Sequence, residues 1–312
     1  MGSISCACSN NIEDLIVYPS QSPHNSKITD LTTNTSSLSA TSLSTLAKRE
    51  LTNTVTLSIW SILPRYSYPE FNSDEVPKCS KLILESGLYF GEAAFDIPQG
   101  RGFIIYNDGS ILEGIWKEGK VTGKARVVYN NKSIYEGEYL SNEKTGFGIQ
   151  KYYDGRVYQG FWENSEPNGE GKELFPDNSE YNGMFKNGKR EGHGIFTWKD
   201  GARYTGNFAD GKFHGKGIYI WSDNKIYDGM WSDGKLHGKG RFIWPDGRKY
   251  IGEFCNDYRH GLGKYFWPNG NAYDGQWRKG KKHGSGKVYI KAKHQHFNGQ
   301  WLNGTRIKWS DS

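Results

Sequence analysis

One residue type returns at a fixed interval, and that interval constrains the chain more than any other feature. Stepping by 23 from Tyr227 in both directions gives Tyr89, Leu112, Tyr135, Tyr158, Tyr181, Tyr204, Tyr250 and Tyr273. The glycine two places on returns at every step, from Gly91 to Gly275. A fixed period in the twenties means one supersecondary unit repeated and stacked on itself, which excludes a globule built around a single core.

The unit is read best in residues 227–249. Tyr227, Gly229 and Trp231 alternate with Asp228 and Met230, which places the first three on one face of a strand. Residues 232–238 show no periodicity and hold two glycines, so a loop is expected there. Gly238, Gly240, Phe242 and Trp244 then alternate again and predict a second strand. Asp246-Gly247 follows, and Asp-Gly between alternating runs predicts a two-residue turn of type I′. The matching column of Asp and Asn, from Asp108 to Asn269, is expected to supply the left-handed residue of that turn. With no helical crossover, successive strands run antiparallel. The expected fold is all-β: an elongated, twisted, single-layer antiparallel meander.

Two aromatic columns support this reading. One runs Tyr106, Tyr129, Tyr152, Phe175, Trp198, Trp221, Trp244 and Trp267; the other runs Trp116, Tyr139, Trp162, Phe185, Phe208, Trp231, Phe254 and Trp277. With no helix to cover them, the rings are expected to pack on one another, separated by glycines that let each ring lie across the neighbouring backbone. The motif Tyr-x-Gly, then Gly, then His-Gly-x-Gly, shown almost whole by residues 204–217 and 227–240, resembles the MORN-repeat family (membrane occupation and recognition nexus). The resemblance covers about residues 87–304 and gives nine full repeats from about residue 89, with a degenerate tenth as a C-terminal cap. It departs from the family pattern at 89–102, which lacks the middle glycine and the His, and at Leu112 and Ala125. The resemblance implies twisted antiparallel arrays that act as scaffolds, adaptors or regulatory appendages.

The N-terminal region differs in composition. Residues 1–80 are expected as a mostly disordered tail and linker, and 81–312 as the array. The tail is rich in Ser, Thr and Asn over residues 19–50, and an apolar stretch at 51–63 is expected to cap the first repeat. The chain opens Met-Gly, with Cys6 and Cys8 close behind. That pattern predicts myristate on Gly2 and palmitate on Cys6 or Cys8, although Cys6 stands where the myristoylation signal usually has Ser or Thr. One acyl chain anchors only marginally, so the second would make attachment stable. Cys79 and Cys255 complete four scattered cysteines with no disulfide framework, which fits a reducing compartment.

The net charge of +6 is unevenly placed: residues 241–312 carry 14 basic against 5 acidic side chains. Arg278, Lys279, Lys281, Lys282, Lys287, Lys291 and Lys293 are the candidate patch for anionic membrane lipid. Nucleic acid is not expected, because the rings are committed to packing.

No catalytic or cofactor constellation emerges. The Gly-x-Gly pairs enter strands and lack a third glycine, so they are not dinucleotide fingerprints. His214, His237, His260 and His283 form a column, but equivalent positions two strands apart lie about 10 Å from each other, too far to share a metal. They are expected to hold the loops by side-chain hydrogen bonds. The reading is therefore a non-enzymatic scaffold without cofactors. It is expected to hold a protein partner, such as an amphipathic helix, at the cytoplasmic face of a membrane or cortical cytoskeleton. The candidate contacts are Trp198, Trp221, Trp244 and Trp267 with Tyr204, Tyr227 and Tyr250, lining an exposed aromatic groove. The alternatives are a phosphoinositide-binding module, a ciliary or axonemal structural component, and pairing into a homodimer through the C-terminal edge.

Overall fold

The computed structural model describes residues 79–309. They form one sheet of 21 antiparallel strands, broken among the described residues by a single 3-10 turn at Lys291–Lys293. Each strand pairs with the one before it and the one after it in sequence, from Cys79–Leu84 against Gly87–Ala94 to Gln295–Leu302 against Thr305–Trp309. The expected all-β meander is what the chain forms. After the first strand come ten hairpins, nine opening on the tyrosine column and the last on Phe297. The acylation candidates Gly2, Cys6 and Cys8, the tether at 19–50 and the expected cap at 51–63 lie outside the described residues.

The main core runs along one face of the sheet, and its rings repeat with the 23-residue unit. Tyr227 pairs in register with Phe242, and Gly229 with Gly240. The Tyr227 ring lies flat over these glycines: a Cβ on Gly240 would stand 2.5 Å from the Tyr227 hydroxyl. Only a residue without Cβ admits the ring, which explains why tyrosine and glycine repeat together. The hydroxyl reaches past the glycines and donates to the Met230 carbonyl at 2.8 Å; the same bond to the third residue on recurs from Tyr89 to Tyr273. A buried phenol thus keeps a partner, which phenylalanine would not need. Burial pushes these hydroxyls up, to about 12 for Tyr181 and Tyr273. From Tyr135 on, each tyrosine also meets rings of its own and the next repeat edge-on, as Tyr227 does Trp231 at 5.2 Å and Phe254 at 5.1 Å.

The two connections of the unit exchange the roles expected for them. The tight two-residue turn is Asp233-Gly234, with φ of 48° and 78°, joining Ile226–Ser232 directly to Lys235–Ile243. Residues 235–238, expected as loop, are strand with a bulge at Gly238. The connection at Asp246-Gly247 is longer. The Gly247 N–H donates to the Trp244 carbonyl at 3.0 Å, and the Trp244 N–H to the Arg248 carbonyl at 2.9 Å. Asp246 does not adopt positive φ there; its carboxylate accepts the Arg248 N–H at 3.1 Å, and Gly247 takes the left-handed conformation at 87°. The same acceptor role holds at Asp108, Asn131, Asp154, Asp177, Asp200, Asp223 and Asn269. The column is occupied by Asp and Asn because a short side-chain acceptor closes the turn.

The departures have structural causes. At Leu112 no ring covers the glycine pair, and Ala125 fills the space at 0 % exposure. At the C-terminal end Trp301 extends the buried ring column and Trp309 covers it edge-on at 6.3 Å. A smaller apolar cluster, Phe90, Phe103, Ile105 and Ile111, lies beside the first hairpins, separate from the main row.

Candidate functional site

Two aromatic columns run along the array, and they are chemically distinct. Trp116, Trp162, Trp231 and Trp277 are buried, and each indole N–H donates to a glycine carbonyl at 3.0–3.3 Å. Trp198, Trp221, Trp244 and Trp267 stand at the head of the longer connections and remain half-exposed. Their indole N–H groups make no hydrogen bond among the described residues. Folding leaves these four rings a free edge and a free donor.

Between them sit Phe196, Tyr219, Phe242 and Tyr265, two residues earlier in each repeat. The rings interlock: Phe196–Trp198 4.5 Å, Trp198–Tyr219 4.9 Å, Tyr219–Trp221 4.3 Å, Trp221–Phe242 5.3 Å. The run continues through Phe242–Trp244 4.5 Å, Trp244–Tyr265 5.7 Å and Tyr265–Trp267 4.8 Å. This strip is unbroken from Phe175, which meets Phe196 at 5.6 Å, to Trp267. Tyr204, Tyr227 and Tyr250 are not part of it. Each is 0 % exposed beneath the strip, so these three of the expected contacts are core residues that no partner can touch.

A column of cations borders the strip at the opening of the second strand of four repeats: Lys144, Arg190, Arg259 and Lys282. Arg190 lies over Phe196 at 5.0 Å and is neutralised by Glu173 at 2.9 Å. Arg259 lies 4.3 Å from the Trp277 ring and 5.2 Å from Tyr265, and donates to the Gly280 carbonyl at 2.8 Å. Lys282 lies 4.6 Å from Trp267 and 4.8 Å from Tyr273. Burial holds both below the usual range for their type, and the Arg259 charge adds to the effect on Lys282. Burial also pushes Lys144 down to about 8; it lies over Tyr135 at 4.4 Å and Trp162 at 4.6 Å.

The expected lipid patch is split. Lys282 faces the rings opposite Trp277, whereas Arg278 pairs with Lys281, and Lys287 with Asp274, on the other face. Lys279 forms part of a tight turn, and Lys291 and Lys293 belong to the 3-10 turn. Strand alternation distributes residues that are neighbours in sequence to opposite surfaces. The histidine column also departs from expectation. His214, His237 and His260 are exposed and hold no loop; only His283 does, accepting the Asn303 N–H at 3.5 Å. Among the described residues no group of three or more His, Cys, Asp or Glu is placed to hold a metal, and no helix is long and apolar enough to cross a membrane. Cys255 is a half-buried free thiol.

The model of the MORN repeat matches residues 135–155, 158–180, 181–203, 204–226, 227–247, 250–272 and 273–289. This chain is a MORN-repeat protein. The matched segments are seven of the hairpins seen in the sheet; the hairpins opening at Tyr89 and Leu112, where the motif departs, lie outside them. MORN repeats form a repeat-based binding scaffold. No curated protein matches this MORN-repeat chain. Among solved structures, the TCP10 domain of Danio rerio CPAP in complex with a peptide of Danio rerio STIL is similar at 13% identity and a TM-score of 0.41, covering 75% of this chain and 100% of that one. The TCP domain of Drosophila melanogaster SAS-4, in complex with a proline-rich motif of Ana2, is similar at 16% identity and a TM-score of 0.25, covering 69% and 99%. Likeness at these scores carries no argument about function.

Proposed function

We propose that the array is a non-enzymatic scaffold that seats a protein segment along the strip from Trp198 to Trp267. The observation that carries this reading is the contrast between the two tryptophan columns. One has every indole N–H satisfied internally; the other presents ring edges and unpaired donors. Tryptophans with an apolar body and a free polar edge are the residues that carry binding energy at protein interfaces. An amphipathic helix or an extended segment with apolar side chains fits a strip of this kind. The dual-acyl signal at Gly2, Cys6 and Cys8 supports a place for the scaffold at the cytoplasmic face of a membrane or the cortex beneath it. A lipid-reading array is less well supported, because the C-terminal cations divide between two faces.

Two measurements test the reading. Trp221→Ala with Trp244→Ala is expected to abolish capture of a partner identified with the wild type, while the circular dichroism spectrum stays that of the folded array. Retention of the partner by the folded double variant removes the strip as its seat. Membrane fractionation of the intact chain beside Gly2→Ala and Cys6→Ala/Cys8→Ala tests the anchor. Solubility of both variants is expected, and identical behaviour of all three excludes it.

A further inference from the structure

We infer that the C-terminal part of the strip selects acidic segments: it takes a peptide carrying two carboxylates, one for Arg259 and one for Lys282. This rests on the strip being a docking site and adds the chemistry of what docks. Four observations carry it. Arg259 and Lys282 are half-buried over aromatic rings, so their charges are partly desolvated. Neither has a carboxylate partner among the described residues, whereas Arg190 in the same column has Glu173, and Arg248 nearby has Asp246. The two cations border the same rings, and the Arg259 charge adds to burial in holding Lys282 below the usual lysine range. Both border Tyr265 or Trp267, so an incoming carboxylate would arrive beside the aromatic edges that seat apolar side chains.

The surroundings of the cations decide the class of ligand. Arg259 reaches forward over Trp277, and Lys282 lies over Tyr273 and back over Trp267, so both charges open on one stretch of the rings. A phosphate or lipid headgroup would leave the strip from Trp267 back to Trp198 uncovered, whereas a peptide carries apolar side chains for those rings beside its acids. The N-terminal part of the column does not offer this pair, because Pro167 lies between Lys144 and the neutralised Arg190.

The test is selection of short random peptides on display against the intact chain, run in parallel on Arg259→Gln/Lys282→Gln and on Trp221→Ala/Trp244→Ala. The wild type is expected to enrich paired Asp or Glu flanked by apolar residues. A synthetic peptide of the enriched sequence is expected to bind the Gln double variant about ten-fold more weakly, and its Asn/Gln counterpart to bind both chains alike. The difference should shrink at high salt, as screening requires. Lys282 makes no hydrogen bond to its own chain, so Lys282→Gln alone serves if the Arg259 variant does not fold. Enrichment without acids, or the same peptides on the Gln variant, overturns the acidic preference and leaves docking in place. No enrichment, or enrichment indifferent to the Trp variant, removes both. Retention on phosphatidylserine vesicles lost with the same two cations assigns the pair to a headgroup and also overturns the proposal.

Discussion

Residues 112–173 and residues 196–288 share one backbone, yet they present different surfaces. In the first stretch the position two residues before the half-exposed ring is Val127, Gln150 or Glu173; in the second it is Phe196, Tyr219, Phe242 or Tyr265. Gln150 is buried and accepts from Lys144 at 2.9 Å, and Glu173 joins Arg156 at 3.3 Å and Arg190 at 2.9 Å. These polar contacts occupy the place where, further on, rings interlock. The tyrosine, the glycine pair and the turn acceptor fix the sheet in both stretches, while this one column fixes whether the surface is a closed polar network or an open aromatic strip. The first stretch also holds the one full repeat without its tyrosine, Leu112 with Ala125.

Moving that pair into the second stretch tests whether ring and glycine form one unit. Gly240→Ala alone places a methyl 2.5 Å from the Tyr227 ring, and overpacking of this kind costs about 3 kcal/mol. Adding Tyr227→Leu recreates the Leu112–Ala125 arrangement and is expected to recover much of the loss. A double-mutant cycle by urea denaturation measures the coupling. Simple addition of the two losses would show that ring and glycine are independent, and that Ala125 is incidental.

The polar network is the next thing to break. Glu173 is 11% exposed and serves two arginines that are 39% and 22% exposed. Glu173→Gln leaves Arg190 without its acid over Phe175 and Phe196 while Arg156 keeps Asp154, and about 2 kcal/mol of stability should go, less than for a fully buried pair because the arginines reach water. The corresponding change in the second stretch, Asp246→Asn beside Arg248, keeps the turn acceptor and removes only an exposed ion pair, so a melting shift close to zero is expected. Equal melting shifts for the two variants would remove the distinction between a closed and an open stretch.

Much of this was legible in the sequence, and what was not has physical reasons. The period, the antiparallel meander and the ring-over-glycine packing follow from residues that recur at every repeat but the one at Leu112 and Ala125. The turn assignment differs because the unit at 227–249 holds two Asp-Gly pairs, Asp233-Gly234 and Asp246-Gly247, and propensity alone does not separate them. Pro245 does: it precedes Asp246, as Pro176 precedes Asp177 and Pro268 precedes Asn269, and it has no N–H to close a two-residue turn at 246–247, while its fixed negative φ suits the first central position of the wider turn that forms. Alternation puts the three tyrosines on the ring-bearing face and says nothing about depth on that face, so their burial is not legible from it. The cations were counted along the chain, whereas the sheet sorts them by column; steps of 23 from Lys144 through Arg190 to Arg259 and Lys282 would have found them.

The smallest effect expected is at Lys144, where pH separates the stretches. This amine is surrounded by Tyr129, Tyr135, Trp162 and Gln150, with no acid among them, and burial lowers its pKa from 10.5 to about 8. Between those two values the unfolded chain binds a proton that the folded chain does not. Stability therefore rises with pH across this window, and below about pH 8 the fold carries the cost of a charged, partly desolvated lysine. The buried tyrosines act in the opposite sense above their unfolded pKa of 10.0, so only the difference between wild type and Lys144→Met isolates the lysine. That difference should grow in favour of the wild type by about 1 kcal/mol from pH 8 towards pH 10, after allowance for partial solvent access. Lys225, exposed and paired with Asp223 in the second stretch, serves as the control, and Lys225→Met should give a flat difference over the same range. A flat line for Lys144 as well would mean that the polar contact to Gln150 and the surrounding rings solvate the ammonium as well as water does, and that the first stretch is no more closed than the second.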